Sequence, residues 1–205
     1  AYNAMGKQKD KHTFVCASAG NHAQGVAFVC RHLQKKGVVF MPVTTPQQKI
    51  YKTKMFGGKW VEVRLVGDYF DDTLRASQIY CEETGGHFLS PFDDKDVIEG
   101  QATVTYEILK QLGRAPDILI VPVGGGGLSA SARRLLAELA PETDIYFVEP
   151  SGGMSLAAAV AANEPTTIGN VNTFVDGAAV ARIGKYTFVE LKGIQADHVL
   201  AISED

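Results

Sequence analysis

Four consecutive glycines, at positions 124–127, lie between a β-rich apolar run and a helical pattern. The run at 118–123 is typical of a buried strand, and residues 129–139 are typical of a helix. Glycine tolerates positive φ and lets backbone N–H groups approach a ligand without an intervening Cβ. The N-terminus of a helix adds unpaired N–H donors and a partial positive charge. This junction therefore predicts a phosphate-binding turn at the carboxyl end of a strand.

The residues around the glycines exclude one kind of phosphate site and leave another open. No Lys-Ser or Lys-Thr pair follows the glycines, so a P-loop is excluded. Gly124 and Gly126 fit the first two glycines of GxGxxG, with Ser129 in the third place. Glu149 ends the next predicted strand, 25 residues after Gly124, near the spacing of roughly 20 residues at which an acid binds a ribose. Taken alone, the turn is compatible with a nicotinamide-dependent oxidoreductase.

Short apolar runs alternate with helical patterns along most of the chain. This rhythm predicts an α/β fold of open parallel sheets with helices on both faces. Turn residues cluster at 90–94, and we expect two lobes, residues 1–92 and 93–205. The clearest helix is 96–112, with Val97, Val104, Ile108 and Leu112 at helical spacing. The predicted strands are 12–17, 38–43, 60–66, 87–90, 118–123, 145–149 and 198–202.

A second turn, in the sequence ASAGNHAQG, also ends a predicted strand and opens a helix. Backbone N–H groups at this helix start could bind a carboxylate, and Asn21 offers both a donor and an acceptor. The alternative is that Ser18 or Asn21 is a plain N-cap. We interpret His22 as a packed or solvated side chain rather than a base. Both turns occupy the strand ends at which α/β folds bind ligands.

The composition and the charge limit the binding partners and the cellular compartment that can be expected. A net charge of −3 and a pI near 6.0 argue against nucleic acid and against an anionic membrane surface, since both attract basic patches. No apolar stretch approaches the roughly 20 residues of a membrane span, and no signal-peptide pattern opens the chain. The three cysteines show no CxxC spacing, which favours reduced, mostly buried thiols in a cytoplasmic protein.

Taken together, the motifs resemble the biosynthetic threonine dehydratases. The matching stretches are AYNAM, CASAGNHAQGVAF, MPVTTPQQK, GDYFDDT, PFDDKDVIEGQATV, VPVGGGGLSA, VEPSG and FVDGAAVARIG. These enzymes are pyridoxal-phosphate-dependent ammonia-lyases of the tryptophan-synthase-β-like fold, also called fold type II. The resemblance runs from the first residue to the last, and it implies that the 205 residues form the central, incomplete part of that fold.

The resemblance implies a role for individual residues. The glycine turn would wrap the phosphate of the cofactor, and Asn21 would lie beside the hydroxyl of its ring. Gly177, in VDGAAV, would line the ring. Positions that match the phosphate turn are Gly124, Gly125, Gly126, Gly127 and Leu128; positions that match the loop closing on the substrate carboxylate are Ser18, Ala19, Gly20, Asn21 and His22.

Glu149 matches an acid that binds a divalent cation in the related serine racemases. Gly153 and Ser155 occupy the later positions of that pattern, where a second carboxylate would be expected. We therefore predict no metal site and a structural role for Glu149, with a divalent cation at Glu149 as the alternative.

The implied reaction is the dehydration and deamination of L-threonine to 2-oxobutanoate and ammonia, as in isoleucine biosynthesis. L-serine dehydratase and serine racemase are alternatives within the same class, because serine lacks only a methyl group. The resemblance also implies an amino-acid substrate and a homotetramer.

The family's Schiff-base lysine lies in a motif just upstream of AYNAM, and no lysine of this chain takes its place. We therefore expect no catalytic residue within these 205 residues and little activity from them alone. A domain that binds a small molecule without turnover is a third alternative.

Overall fold

A computed structural model describes residues 1–203 of the chain. The chain folds into two compact units, the first spanning Ala1–Pro91 and the second starting at Phe92. Both units alternate strands with helices, and all the strand pairs within residues 1–203 are parallel. The α/β class with parallel sheets and helices on both faces, which the sequence predicted, is confirmed.

The first unit is built on a four-stranded sheet in the order β3-β2-β1-β4. The two central strands are buried almost throughout, which explains their continuous apolar sequences, TFVCA and KGVVFM. The strands are β1 (Thr13–Ala17), β2 (Lys36–Met41), β3 (Val61–Leu65) and β4 (His87–Phe88). The helices are α1 (Tyr2–Lys7), α2 (Asn21–Leu33), α3 (Gln47–Gly57) and α4 (Phe70–Thr84).

The second unit contains a three-stranded sheet in the order β5-β6-β7. Its strands are β5 (Ile118–Pro122), β6 (Asp144–Pro150) and β7 (Val199–Ile202). Its helices are α5 (Lys95–Leu112), α6 (Gly127–Leu139), α7 (Ser155–Ala162) and α8 (Lys185–Leu191). The core joins central β6 to the helices through Val123, Ala130, Phe147, Leu156, Ile183 and Leu191.

All seven predicted strands occur within residues 1–203, but some of their ends differ. β2 ends at Met41, not at Val43, because Pro42 has no N–H to donate to the ladder. Val43 donates instead to the carbonyl of Gly67, at 2.9 Å. β4 spans only two residues, although Leu89 still donates to the carbonyl of Val15 at 2.8 Å.

The helix predicted at 96–112 is α5, and Asp94 caps its start by accepting from the N–H of Val97 at 2.9 Å. Its expected apolar stripe is only partly buried. Val97 is buried, but Val104 is 44% and Leu112 is 52% exposed. The spacing predicted the helix correctly and overstated the width of its buried face.

All three cysteines, Cys16, Cys30 and Cys81, are reduced and buried. Burial raises the pKa of Cys16 and raises that of Cys30 to about 12. These thiols are therefore protonated and unreactive at neutral pH. Among the described helices, none combines the length and the apolar character that crossing a bilayer requires.

Candidate functional site

The glycine turn follows β5 and leads directly into α6. Gly126 has a φ of +89° and forms the N-cap, a conformation that glycine adopts without strain. The N–H groups of Gly125, Gly126, Gly127 and Leu128 have no hydrogen-bond acceptor within residues 1–203. Successive N–H donors at a helix N-terminus form a ready site for an anion such as phosphate.

The Cβ positions of the four glycines are filled by the protein itself. A Cβ on Gly125 would overlap the ring of Phe92, and one on Gly127 would lie 3.2 Å from the Cα of Phe92. A Cβ on Gly124 would lie 2.9 Å from the carbonyl oxygen of Gly177. The glycines are thus required by close packing around the turn. This corrects the expectation that the space beside them is left clear for a ligand.

The carbonyl of Gly125 is held by the start of α8. Its oxygen accepts from the hydroxyl of Thr187 at 3.0 Å and from the N–H of Gly184 at 3.3 Å. Asp93 fixes α8 in turn, because its Oδ1 accepts from the N–H of Tyr186 at 2.7 Å. Sequence reasoning missed Phe92, Asp93 and Thr187. A threonine within an otherwise apolar helix face was the available signal.

Gly177 lies beside the turn, as its carbonyl contact with Gly124 shows. The segment around it is exposed from Asn172 to Gly177 and returns to the core at Ala178. The structure therefore brings together Gly177 and the glycine turn, two of the features that the sequence singled out.

The second turn joins β1 to α2 in the first unit. Ser18 starts it, with its N–H donating to the carbonyl of Phe40 at 3.1 Å, and its Oγ accepts from the N–H of Gly20 at 3.1 Å. Gly20 is the N-cap of α2, and no side chain caps the helix. The N-cap alternative for Ser18 or Asn21 is therefore wrong.

Asn21 is exposed at the first position of α2, and its side chain bonds to nothing within residues 1–203. The N–H groups of Asn21, His22 and Ala23 also have no acceptor in that range. The turn therefore presents a free amide and three free backbone donors at the carboxyl end of β1.

His22 packs at the same helix start. Its Nε2 lies 3.1 Å from the carbonyl oxygen of Leu89, which fixes this nitrogen as the donor when the ring is neutral. Burial lowers the pKa of His22 to about 4. The ring is therefore neutral at physiological pH and tied to the strand end beyond β4.

Glu149 is fully buried at the end of β6. Its Oε1 accepts from the N–H of Leu156 at 2.7 Å, and its Oε2 accepts from the N–H of Ala157 at 2.9 Å. Burial raises the pKa of this carboxyl, while the N–H donors of α7 act in the opposite direction. Both oxygens serve the first turn of α7, so neither is directed at a ribose hydroxyl. No group of three or more metal-ligating side chains occurs in the part of the chain that the structure describes.

The chain is similar to known proteins over its whole length. The sequence profile of a family described as pyridoxal-phosphate dependent enzyme matches residues 1–205. The chain is 42% identical over 207 residues to the biosynthetic L-threonine dehydratase of Bacillus subtilis, covering 100% of this chain and 49% of that protein. It is also 42% identical over 210 residues to the corresponding protein of Lactococcus lactis, covering 100% of this chain and 50% of that one. The chain thus spans about half the length of the curated relatives it matches.

Two solved structures extend the comparison. The processed form of threonine deaminase isoform 2 from Solanum lycopersicum superposes with a TM-score of 0.88 at 36% identity, covering 98% of this chain and 58% of that chain. Maize serine racemase superposes with a TM-score of 0.90 at 27% identity, covering 99% and 61%. Both share the arrangement of strands and helices described above.

Proposed function

The chain belongs to the family of pyridoxal-phosphate dependent enzymes, and on this premise we propose that the protein containing it converts L-threonine to 2-oxobutanoate and ammonia. Threonine loses water across its Cα–Cβ bond, and hydrolysis of the resulting unsaturated amine returns that water and releases ammonia. The similarity to biosynthetic threonine dehydratases over the whole chain supports this substrate and a place in isoleucine formation.

The observation that carries the proposal is that the N–H groups from Gly125 to Leu128 have no acceptor in the part of the chain that the structure describes. A phosphate dianion is bound by several N–H donors together, and this turn offers four N–H groups without an acceptor in the described residues at the positive end of α6. The residues present therefore fit the phosphate of pyridoxal phosphate. The bound cofactor supplies an electron sink for negative charge at the substrate Cα. We assign the phosphate contact to Gly124, Gly125, Gly126, Gly127 and Leu128.

The resemblance to the threonine dehydratases assigns the contacts with the ring and the substrate to the second turn. Asn21 has a free amide that can donate to or accept from the ring hydroxyl and so set its proton position. The free N–H groups at the start of α2, in the loop Ser18, Ala19, Gly20, Asn21 and His22, suit the substrate carboxylate. Gly177 lies next to the phosphate turn and is assigned to the wall of the ring site.

Neighbouring activities are less well supported. Maize serine racemase has the same fold but only 27% identity, against 42% for the threonine dehydratases. One methyl group in a pocket gives on the order of 1–3 kcal/mol of discrimination, so L-serine is expected as a weaker substrate. The oxidoreductase alternative rested on the sequence GGGGLS together with Glu149, and both oxygens of the Glu149 side chain bind α7.

The resemblance further supports a homotetramer in the cytoplasm, with a free amino acid as the small-molecule partner. Size-exclusion chromatography with light scattering measures the assembly directly. A mass of one or two copies would contradict the tetramer without touching the proposed reaction.

Formation of 2-oxobutanoate from L-threonine by the protein that contains this chain, with saturating pyridoxal phosphate, tests the function. Turnover of L-threonine above L-serine is expected, and hydride transfer to or from a nicotinamide without any deamination would contradict the proposal.

Asn21→Ala should lower kcat on the order of tenfold or more and shift the absorbance of the bound cofactor. Gln48→Ala, an exposed amide on α3, is the matched control. Unchanged kcat and absorbance in Asn21→Ala would remove Asn21 from the site.

A further inference from the structure

We propose that Thr187 is a positioning residue that aims the glycine turn at the cofactor phosphate. This inference rests on the proposed function and deepens it. Thr187 is fully buried, lies 62 residues after Gly125 and belongs to a different helix from the one that the turn begins. Its effect would pass through the backbone of Gly125 rather than through contact with a ligand.

The geometry of one peptide group explains the effect. In a trans peptide, the C=O of one residue and the N–H of the next point in opposite directions. The hydroxyl of Thr187 donates to the carbonyl of Gly125 at 3.0 Å, and the N–H of Gly184 donates to the same oxygen at 3.3 Å. Holding that carbonyl toward α8 therefore turns the N–H of Gly126 away from α8, to the side on which it has no acceptor within residues 1–203.

This peptide group is free to turn unless it is held. It joins two glycines, which accept φ and ψ values closed to other residues, so it can rotate at little steric cost. A rotated peptide would present the carbonyl oxygen of Gly125 to the phosphate in place of the N–H of Gly126. That oxygen would repel the phosphate dianion, and one donor would be lost.

The support beneath Thr187 is itself fixed. Its hydroxyl also lies 2.9 Å from the carbonyl of Gly184, so its one proton is shared between two carbonyls on adjacent segments. Asp93 binds the N–H of Tyr186, and a Cβ on Gly184 would lie 2.6 Å from the same carboxylate oxygen. Arg134 bonds Glu190 at 3.0 Å and joins α6 to α8. Helix α8, which carries Thr187, is thus tied both to Asp93 and to α6.

The test compares Thr187→Val, which keeps the shape and removes the donor, with Thr187→Ser, which keeps the donor. Dissociation constants are measured for pyridoxal phosphate and for pyridoxal, which lacks the phosphate. The ratio of the two isolates the phosphate contribution, and a general loss of stability would not change it. Thr187→Val is expected to weaken the binding of pyridoxal phosphate about tenfold and to leave the binding of pyridoxal unchanged, whereas Thr187→Ser stays close to wild type.

The possible results lead to different conclusions. If the ratio of the two dissociation constants is the same in Thr187→Val as in wild type, the positioning role is overturned, even if the variant melts at a lower temperature. A wild-type protein that binds pyridoxal as tightly as pyridoxal phosphate overturns the proposed phosphate site instead, so the two failures are distinguishable. If Thr187→Val does not fold, Thr187→Cys replaces it, since a thiol is a much weaker donor than a hydroxyl. Equal ratios for Thr187→Cys and Thr187→Ser would then overturn the proposal.

Discussion

The two strand-to-helix turns look alike in sequence and differ in what their glycines do. In the second unit, a Cβ on Gly125 would overlap the ring of Phe92, and Gly126 has a φ of +89°. In the first unit, Gly20 has a φ of −117°, and the atom nearest to an added Cβ is the Oγ of Ser18 at 4.0 Å. The glycine run is therefore imposed by packing, whereas the first turn has room for side chains. Glycines in such a turn can therefore be required by close packing within the protein as well as by a ligand.

The largest effect is expected at the packed turn. Gly125→Ala places a methyl group inside the ring of Phe92, so the ring must move, and the free energy of unfolding should fall by about 3 kcal/mol. Urea denaturation measures the loss. Because the clash is with one side chain, Gly125→Ala combined with Phe92→Ala should be less destabilised than the sum of the two changes. Strict additivity would show that Phe92 is not what excludes the methyl group.

The pH dependence of stability tests the first turn. Burial lowers the pKa of His22 from 6.5 to about 4. Between these two pH values the imidazole is protonated in the unfolded chain and neutral in the folded chain. Stability from this group is fully present above pH 6.5 and is lost as the pH falls toward 4, by up to about 3 kcal/mol. His22→Gln retains a donor for the carbonyl of Leu89 without titrating. The variant should lose less stability over this interval; a profile identical to that of wild type would contradict the buried, neutral ring.

A third junction, from β6 to α7, shows the alternative way to satisfy a helix start. Glu149 accepts from two N–H groups in the first turn of α7, whereas the corresponding N–H groups at the start of α6 have no acceptor within residues 1–203. Glu149→Gln replaces one acceptor oxygen by an NH₂ group, which cannot accept from the backbone, and should cost about 2 kcal/mol in thermal or urea unfolding. Binding of pyridoxal phosphate should not change. If Glu149→Gln weakened the binding of pyridoxal phosphate without lowering the free energy of unfolding, Glu149 would belong to the ligand site.

The smallest effect is expected at Gly20. Its φ of −117° is open to any residue and the Cβ direction is clear, but its ψ of −149° lies outside the usual β region, so Gly20→Ala should lower the free energy of unfolding by about 1 kcal/mol at most. This variant is the matched control for Gly125→Ala. A loss as large as that of Gly125→Ala would abolish the distinction between the two turns.

The sequence predicted the strands well, because apolar runs bounded by glycine, proline and polar residues follow the period of a buried strand. It failed where a single residue or the wider packing decides the outcome. Pro42 ended β2 early, and Val104 and Leu112 lie exposed although they continue the helical spacing of α5. Periodicity reports which residues share a face, but not how far a neighbouring element covers that face.

The candidate site divides in the same way. Local signals located both turns, since a strand, a glycine and a helix start are adjacent in the chain. The supports were not predictable, because Thr187 reaches Gly125 across 62 residues and Asp93 reaches Tyr186 across 93. Glu149 could be interpreted as a ribose ligand from spacing alone. Only its contacts with α7 show that its oxygens are already used.

The most direct test of the account follows backbone amide resonances of the protein during titration with pyridoxal phosphate and, separately, with pyridoxal. The central claim is that the N–H groups from Gly125 to Leu128 bind the phosphate. Their signals should shift with pyridoxal phosphate, and with inorganic phosphate at higher concentration, but not with pyridoxal. If these four signals stay in place while amides elsewhere respond to pyridoxal phosphate, the glycine turn is not the phosphate site.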